Sequence, residues 1–305
     1  MTVDELNRRF GIPGAAGFEP GRGGLTRLAV IAPGGEAHVY LLGAHVTHWQ
    51  PAGGEPVLWV SRNSAFEVGR PIRGGVPVCH PWFAERPGDP DAPLHGPARL
   101  VEWNVASVER GPGGDVTAAL TTAFGPGAGG REGDFELTCT VTVGSTLALA
   151  LRTRNLGGEP LTVTEALHSY FRVADVRGVS VTGLEGCTYF GKVTGGADQV
   201  QGDEPITFRG ETDSVYLNTP ADCVLHDPRM GRRIRVTKSG SMSTVVWNPW
   251  VDKARRMPDF GDDEWPEMLC IETANALDDA VTVPPGESHT LAARIRVEAT
   301  GSPAR

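Results

Sequence analysis

The sequence predicts an all-β protein, a large sandwich or barrel of antiparallel strands with few short helices. Three observations carry this reading. Short runs rich in β-branched residues, several alternating apolar with polar, recur at close spacing from Leu25 towards the C-terminus. Turn residues separate them: the 40 glycines and 24 prolines punctuate the chain and form no single low-complexity tract. Helical periodicity is scarce, so there is no strand–helix alternation from which a parallel sheet could be built.

In chain order, residues 1–24 read as a short helix, Val3 to Phe10, and a glycine-rich lead-in. Residues 25–300 then form the sandwich, and with neither linker nor repeat in view residues 1–305 are expected to be a single domain. The first strands are Ala37 to Trp49 (AHVYLLGAHVTHW), Val57 to Val60, Val101 to Val108 and Val116 to Thr122. The stretch Thr122 to Asp134 has turn composition and suits a long hairpin loop. Phe135 to Val143 (FELTCTVTV) alternates most cleanly, with Phe135, Leu137, Cys139, Val141 and Val143 on one face and Glu136 and three threonines on the other. Leu147 to Thr153, Leu161 to Phe171, Val179 to Leu184, Cys223 to His226, Ile234 to Thr237, Ser243 to Trp247, Met268 to Thr273 and His289 to Val297 continue the series. Asp252 to Met257 is the one late helical candidate, at about one and a half turns a connector.

Composition excludes several classes of function. A net charge of −9 repels phosphate backbones, which argues against nucleic acid and acidic membranes as partners. No apolar run approaches the ~20 residues of a spanning helix. The start, MTVDELNRRF, is acidic and lacks an apolar core, so it is no signal peptide, and a cytoplasmic location is expected. Cys79, Cys139, Cys187, Cys223 and Cys270 are odd in number, scattered and without a CxxC, against both a disulfide framework and a zinc ribbon. A monomer is the expectation for assembly.

The stretch Gly69 to Arg99, GRPIRGGVPVCHPWFAERPGDPDAPLHGPAR, is where a site is expected. Its prolines forbid a helix and leave extended pieces and turns of fixed shape. Arg73, His80, His95 and Arg99 lie among apolar and aromatic residues, the composition of a pocket, although a buried turn has that composition too. Gly74 and Gly75 would let the backbone approach a ligand, and Trp82 and Phe83 offer flat apolar faces. Gly125, Gly127 and Gly130 match GxGxxG, but a strand follows where a dinucleotide site needs a helix. His45 and His48 point to opposite faces of an extended segment, so a shared metal is not expected.

Two later segments place polar groups in apolar strands. In LTVTEALHSYF, His168 points away from Glu165 if the strand is regular, and a core histidine bonded to a carbonyl is as good a reading as a functional one. In MLCIETAN, Glu272 ends an apolar run; a buried carboxylate of raised pKa suits a general base better than a simple ion pair.

Together PIRGGVPVCHPWF (71–83), LHGPAR (94–99), EALHSYF (165–171), ETDSVY (211–216), VVWNPW with the following DKARRMPDFGDDEW, and LCIETAN (269–275) resemble the D-hexose-6-phosphate mutarotases, or glucose-6-phosphate 1-epimerases, of the aldose 1-epimerase superfamily. The resemblance runs from about Leu41 to the C-terminus and implies a galactose-mutarotase-like β-supersandwich that needs no cofactor and no metal. It implies His168 as catalytic acid and Glu272 as base, Arg73 and Arg99 as phosphate ligands, His95 as a pocket histidine and Asp213 as a ligand to sugar hydroxyls. Leu94, Ser214 and His80 depart from the family pattern, where Gln, Arg and Phe are common, and they bear on sugar selectivity. The expected function is therefore interconversion of the anomers of glucose 6-phosphate. The alternatives are an aldose 1-epimerase of free sugars and a catalytically silent carbohydrate-binding protein.

Overall fold

Strict alternation over Phe135–Val143 gives a strand whose apolar side chains are buried and whose polar ones are half-buried, as the two-residue pleat requires. The computed structural model, which describes residues 1–125 and 134–299, sets this strand in a nine-stranded antiparallel sheet. Its neighbours are Val116–Phe124, itself paired with Asn104–Arg110, and Thr146–Asn155. The sheet continues through Ser288–Ala299, Arg232–Ser239, Cys223–Asp227 and Ser180–Thr182 to Ile206–Thr207.

A second sheet carries the site. Its strands run in the order Ala197–Val200, Thr188–Gly191, Thr212–Tyr216, Ser243–Asn248, Met268–Asn275, Glu165–Leu167 and Val78–Cys79, and Tyr170–Arg172 also pairs with Met268–Asn275. Met268–Asn275 is buried over its whole length. Leu269 and Ile271 join the main core with Leu137, Leu149 and Ile295 of the nine-stranded sheet. Met268, Cys270 and Ala274 point the other way, into a second apolar cluster with Trp59, Tyr170, Trp247 and Phe260. Glu272 shares the parity of this second face. A four-stranded sheet (Ala16–Pro20, Thr26–Ala32, Gly35–Tyr40, His45–Pro51) adds Val30, Val39 and Trp49 to the main core, and Leu161–Val163 pairs with Val281–Val283.

The helix Val3–Phe10 lies where the sequence places it, closed by a capping box: the Glu5 amide donates to the Thr2 hydroxyl and the Thr2 amide to the Glu5 carboxylate. The late helix is Trp250–Arg256. Other boundaries need correction. Ala37 to Trp49 is two strands, broken at Gly43 and Ala44, whose φ values of 71° and 48° turn the chain. Leu161 to Phe171 is three short strands, and Val57 to Val60 makes only isolated bridges. The lead-in contains the strand Ala16–Pro20. Thr188–Gly191, Ala197–Val200 and Thr212–Tyr216 were not anticipated, because none of the three alternates apolar with polar residues: Ala197–Val200 is largely exposed, and Thr188–Gly191 and Thr212–Tyr216 are mostly half-buried. Gly127 and Gly130 of the GxGxxG match lie outside the described residues; Phe124 pairs with Phe135 across that stretch.

Candidate active site

His168 and Glu272 meet because two antiparallel registers agree. Leu167 pairs with Thr273 and Tyr170 with Cys270, which places the two-residue interruption at His168 and Ser169 directly opposite Glu272 and Ile271. The interruption has a local cause: the His168 amide donates to the Pro77 carbonyl and the Tyr170 amide to that of Gly75, so this edge bonds the segment at 75–79. His168 Nδ1 ends 3.4 Å from Glu272 Oε1, with both side chains buried. Glu165 turns to the opposite face, towards His80, His289 and the Thr153 hydroxyl.

The pair forms the floor of a cavity of about 780 Å³. Phe83, His95 and Trp247 line it beside them, with Arg73, Lys192, Lys253, Asp213 and Glu85 as its other charged members. The His168 ring lies parallel to Tyr170, centroids 4.6 Å apart and 8° between planes, and edge-on to Trp247 at 6.2 Å. Arg73 donates through Nη1 to the Tyr170 hydroxyl at 3.1 Å and through Nε to Asp259 at 3.1 Å. One guanidinium thus ties the tyrosine stacked on His168 to a carboxylate. His95 Nδ1 accepts the Ala84 amide at 2.9 Å, which leaves its Nε2–H to donate.

Electrostatics set the protonation of the floor. Burial pushes the Glu272 carboxyl well above its ordinary range, and Asp213 adds to the shift. Burial, then Arg73 and Arg99, hold His168 well below the ordinary imidazole value, and burial does the same to His95. Both shifts thus favour the neutral forms, a protonated carboxyl and a neutral imidazole. Proton transfer between adjacent groups is what this arrangement can do.

Of the residues singled out from the sequence, Arg73, His95, His168, Asp213 and Glu272 all reach this cavity. Arg99 does not line it: the side chain is 4% exposed and its Nη2 donates to the Leu94 carbonyl at 2.7 Å. Gly74 and Gly75 serve packing. A Cβ would stand 2.4 Å from the Trp59 carbonyl oxygen at Gly74 and 2.2 Å from that of Val46 at Gly75. Phe83 faces the cavity, whereas Trp82 donates from its indole to Pro93. His80 lies behind the site with Glu165, and His45 bonds the Gly74 carbonyl. Sequence reasoning missed Lys192, Lys253, Tyr170, Trp247 and Asp259. Tyr170 had a signal, since it shares the parity of His168; Lys192 stands in a polar turn and Lys253 on the short helix Trp250–Arg256, where charged residues are ordinary. Among the described residues, His168, Cys270 and Glu272 are the group with donor atoms placed to hold a metal.

A family model described as aldose 1-epimerase matches residues 27–296. The chain is 38% identical over 280 residues, 90% of each protein, to the "Putative glucose-6-phosphate 1-epimerase" of Escherichia coli strain K12. Its structure is similar to that of a "putative mutarotase" from Salmonella typhimurium, with a TM-score of 0.87 and 30% identity, covering 97% of this chain and 99% of the other. It is also similar to galactose 1-epimerase from Lactobacillus acidophilus NCFM, with a TM-score of 0.71 at 12% identity over 93% of this chain and 98% of the other.

Proposed function

Since the chain belongs to the aldose 1-epimerase family and has the galactose-mutarotase-like fold, we propose that this isomerase is a hexose-6-phosphate 1-epimerase that interconverts the α and β anomers of glucose 6-phosphate. The observation that carries the reading is one cavity holding both the His168–Glu272 pair and three cationic side chains.

Glu272 takes the proton of the C1 hydroxyl while His168 protonates the ring oxygen, the C1–O bond of the ring breaks and the open-chain aldehyde forms. Rotation about C1–C2 and closure by the reverse transfers give the other anomer. The proton that His168 gives up is replaced by the one Glu272 gains, so the pair's proton count is unchanged. The working state needs a proton on the imidazole, against the direction in which burial shifts both groups. Arg73 is among the charges that disfavour it. A phosphate dianion beside Arg73 offsets that field and favours imidazolium, so phosphate binding both orients the ring and readies the acid. Each positioned transfer contributes roughly 10²- to 10⁴-fold.

Arg73, Lys192 and Lys253 are the phosphate ligands in this reading. Asp213 and His95 take sugar hydroxyls. Arg99, expected from the family resemblance to touch the phosphate, supports the Leu94–His95 turn from behind instead. One observation favours the free-sugar alternative: Arg73 is already paired with Asp259 at 3.0 Å, and Lys253 with Glu211 at 2.8 Å.

Anomer-exchange NMR on glucose 6-phosphate, glucose and galactose separates the readings. The wild type should prefer the phosphosugar. Arg73→Ala should lower kcat/KM for it by about 10- to 100-fold, the loss of roughly 1.5–3 kcal/mol for a bond to a charged group, and change free-sugar exchange much less. An unchanged phosphosugar-to-free-sugar ratio would point to a non-phosphorylated substrate, and no exchange of any sugar to a binding protein.

A further inference from the structure

Cys270 lies two residues before Glu272 on Met268–Asn275 and so on the same face, opposite Tyr170 and next to His168. The ligating atoms of His168, Cys270 and Glu272 all lie within 4.8 Å of one another, and all three residues are buried. Two of these side chains hold buried polar atoms without a hydrogen-bond partner, His168 Nδ1 and Glu272 Oε2; the 3.4 Å contact between the pair leaves the histidine nitrogen unsatisfied. His168 and Glu272 line the cavity and Cys270 is buried beside them, and one nitrogen, one sulfur and one oxygen donor make a set that zinc takes with a fourth position free.

We propose that His168, Cys270 and Glu272 bind Zn²⁺ and that the bound ion switches the mutarotase off. The inhibition rests on the roles given above to His168 and Glu272, whereas the binding rests on the donor geometry alone. On binding, two protons leave to solvent, the thiol proton of Cys270 and the one carried by the His168–Glu272 pair, and the ion takes their place; thiolate and carboxylate then balance the dication, with the imidazole neutral. Of the cations facing the site, Arg73 is matched by Asp259 and Lys192 by Asp213; the field of Arg73 and Arg99 at His168 opposes the dication, and the thiolate and carboxylate formed on binding offset it. Zinc bonds of about 2.0–2.3 Å put tetrahedral N, O and S donors about 3.3–3.6 Å apart, so donors that lie within 4.8 Å of one another close in by up to about 1.5 Å. The thiolate selects Zn²⁺ over Mg²⁺ and Ca²⁺. The lone pairs that the acid and base use are then occupied, and the ion sits where C1 and the ring oxygen must lie.

Titration with Co²⁺ of protein stripped with a chelator tests the binding without reference to activity. The wild type should develop tetrahedral d–d bands and a thiolate-to-cobalt charge-transfer band, both removed by Zn²⁺. Cys270→Ala should lose the charge-transfer band, keep metal-free anomer exchange, and tolerate at least about tenfold more Zn²⁺. Cys270→Ser gives the same readout if the alanine variant folds poorly, and Cys79→Ala, which removes the other buried thiol near Glu272, should keep the band. Absence of a charge-transfer band in the wild type, or its persistence in Cys270→Ser, overturns the site. A band that behaves as expected, with exchange undiminished at saturating Zn²⁺, upholds the site, overturns the inhibition and withdraws His168 and Glu272 from the chemistry.

Discussion

Tyr170 links the two halves of the proposed chemistry, because its ring lies on His168 and its hydroxyl accepts from Arg73. Removing the hydroxyl keeps the stack and frees the guanidinium. Tyr170→Phe should therefore leave the fold intact and reduce kcat/KM for glucose 6-phosphate by about tenfold, the cost of one buried bond from a charged donor; steady-state anomer exchange on the folded variant checks it, and an unchanged value would mean that Asp259 alone holds Arg73. Residues of this kind divide by how far their partners lie along the chain. His168 and Glu272 stood out because each is a polar group in an apolar strand. Arg73 stood out by the apolar composition of its stretch and by resemblance, but its partner Asp259 lies far along the chain, where no local pattern points. Lys192 and Lys253 have only their charge to mark them. Lysines are ordinary in turns, as at Lys192, and on short helices, as at Lys253, and nothing local separates one that lines a cavity.

At the scale of elements, the segment Gly69 to Arg99 has no α-helix, as its prolines require; only Val78–Cys79 within it is a strand, and its end enters the 3₁₀ turn Ala98–Leu100. Its glycines were read as room for a ligand, yet Gly74, at a φ of 114°, gives room to the Trp59 and Val60 backbone. Gly74→Ala should cost about 1–3 kcal/mol from the backbone conformation alone, with the steric contact adding to it. Chemical denaturation checks this, and a loss below about 0.5 kcal/mol would show that the loop yields. The strand at 135–143 was legible to the residue because one face meets core and the other does not. Leu161 to Phe171 was not, because the breaks come from bonds to the segment at 75–79, which no local pattern records.

Across the whole molecule, the all-β class was legible from turn spacing, whereas the sheet order was not: it depends on pairings between distant segments, such as Glu165–Leu167 with Val78–Cys79. One buried cluster spans the layers. Glu165 lies 3.5 Å from both His80 and His289 and accepts from Thr153, and both Glu165 and His80 are fully buried. Burial raises Glu165 to about 8 and lowers His80 to about 3, so both are neutral and the contact is not an ion pair. The sign follows. Glu165, raised above 4.5, contributes stability in full below that pH and loses it as pH climbs to about 8; His80, depressed below 6.5, contributes above that pH and loses it as pH falls to about 3. Stability should peak between these limbs, and Glu165→Gln should flatten the alkaline limb, removing up to roughly 5 kcal/mol of its slope. Urea denaturation across that range checks it; an alkaline limb equally steep in the variant would place its origin elsewhere.

The central claim is that Glu272 and His168 exchange the two protons of ring opening. Anomer-exchange NMR of glucose 6-phosphate with Glu272→Gln tests it most directly, because glutamine keeps the size and hydrogen bonding of the side chain and cannot serve as the base. The account predicts a fall of at least about 10²-fold with the fold preserved, and a comparable fall in His168→Asn. A folded Glu272→Gln protein that exchanges the anomers at the wild-type rate would contradict it.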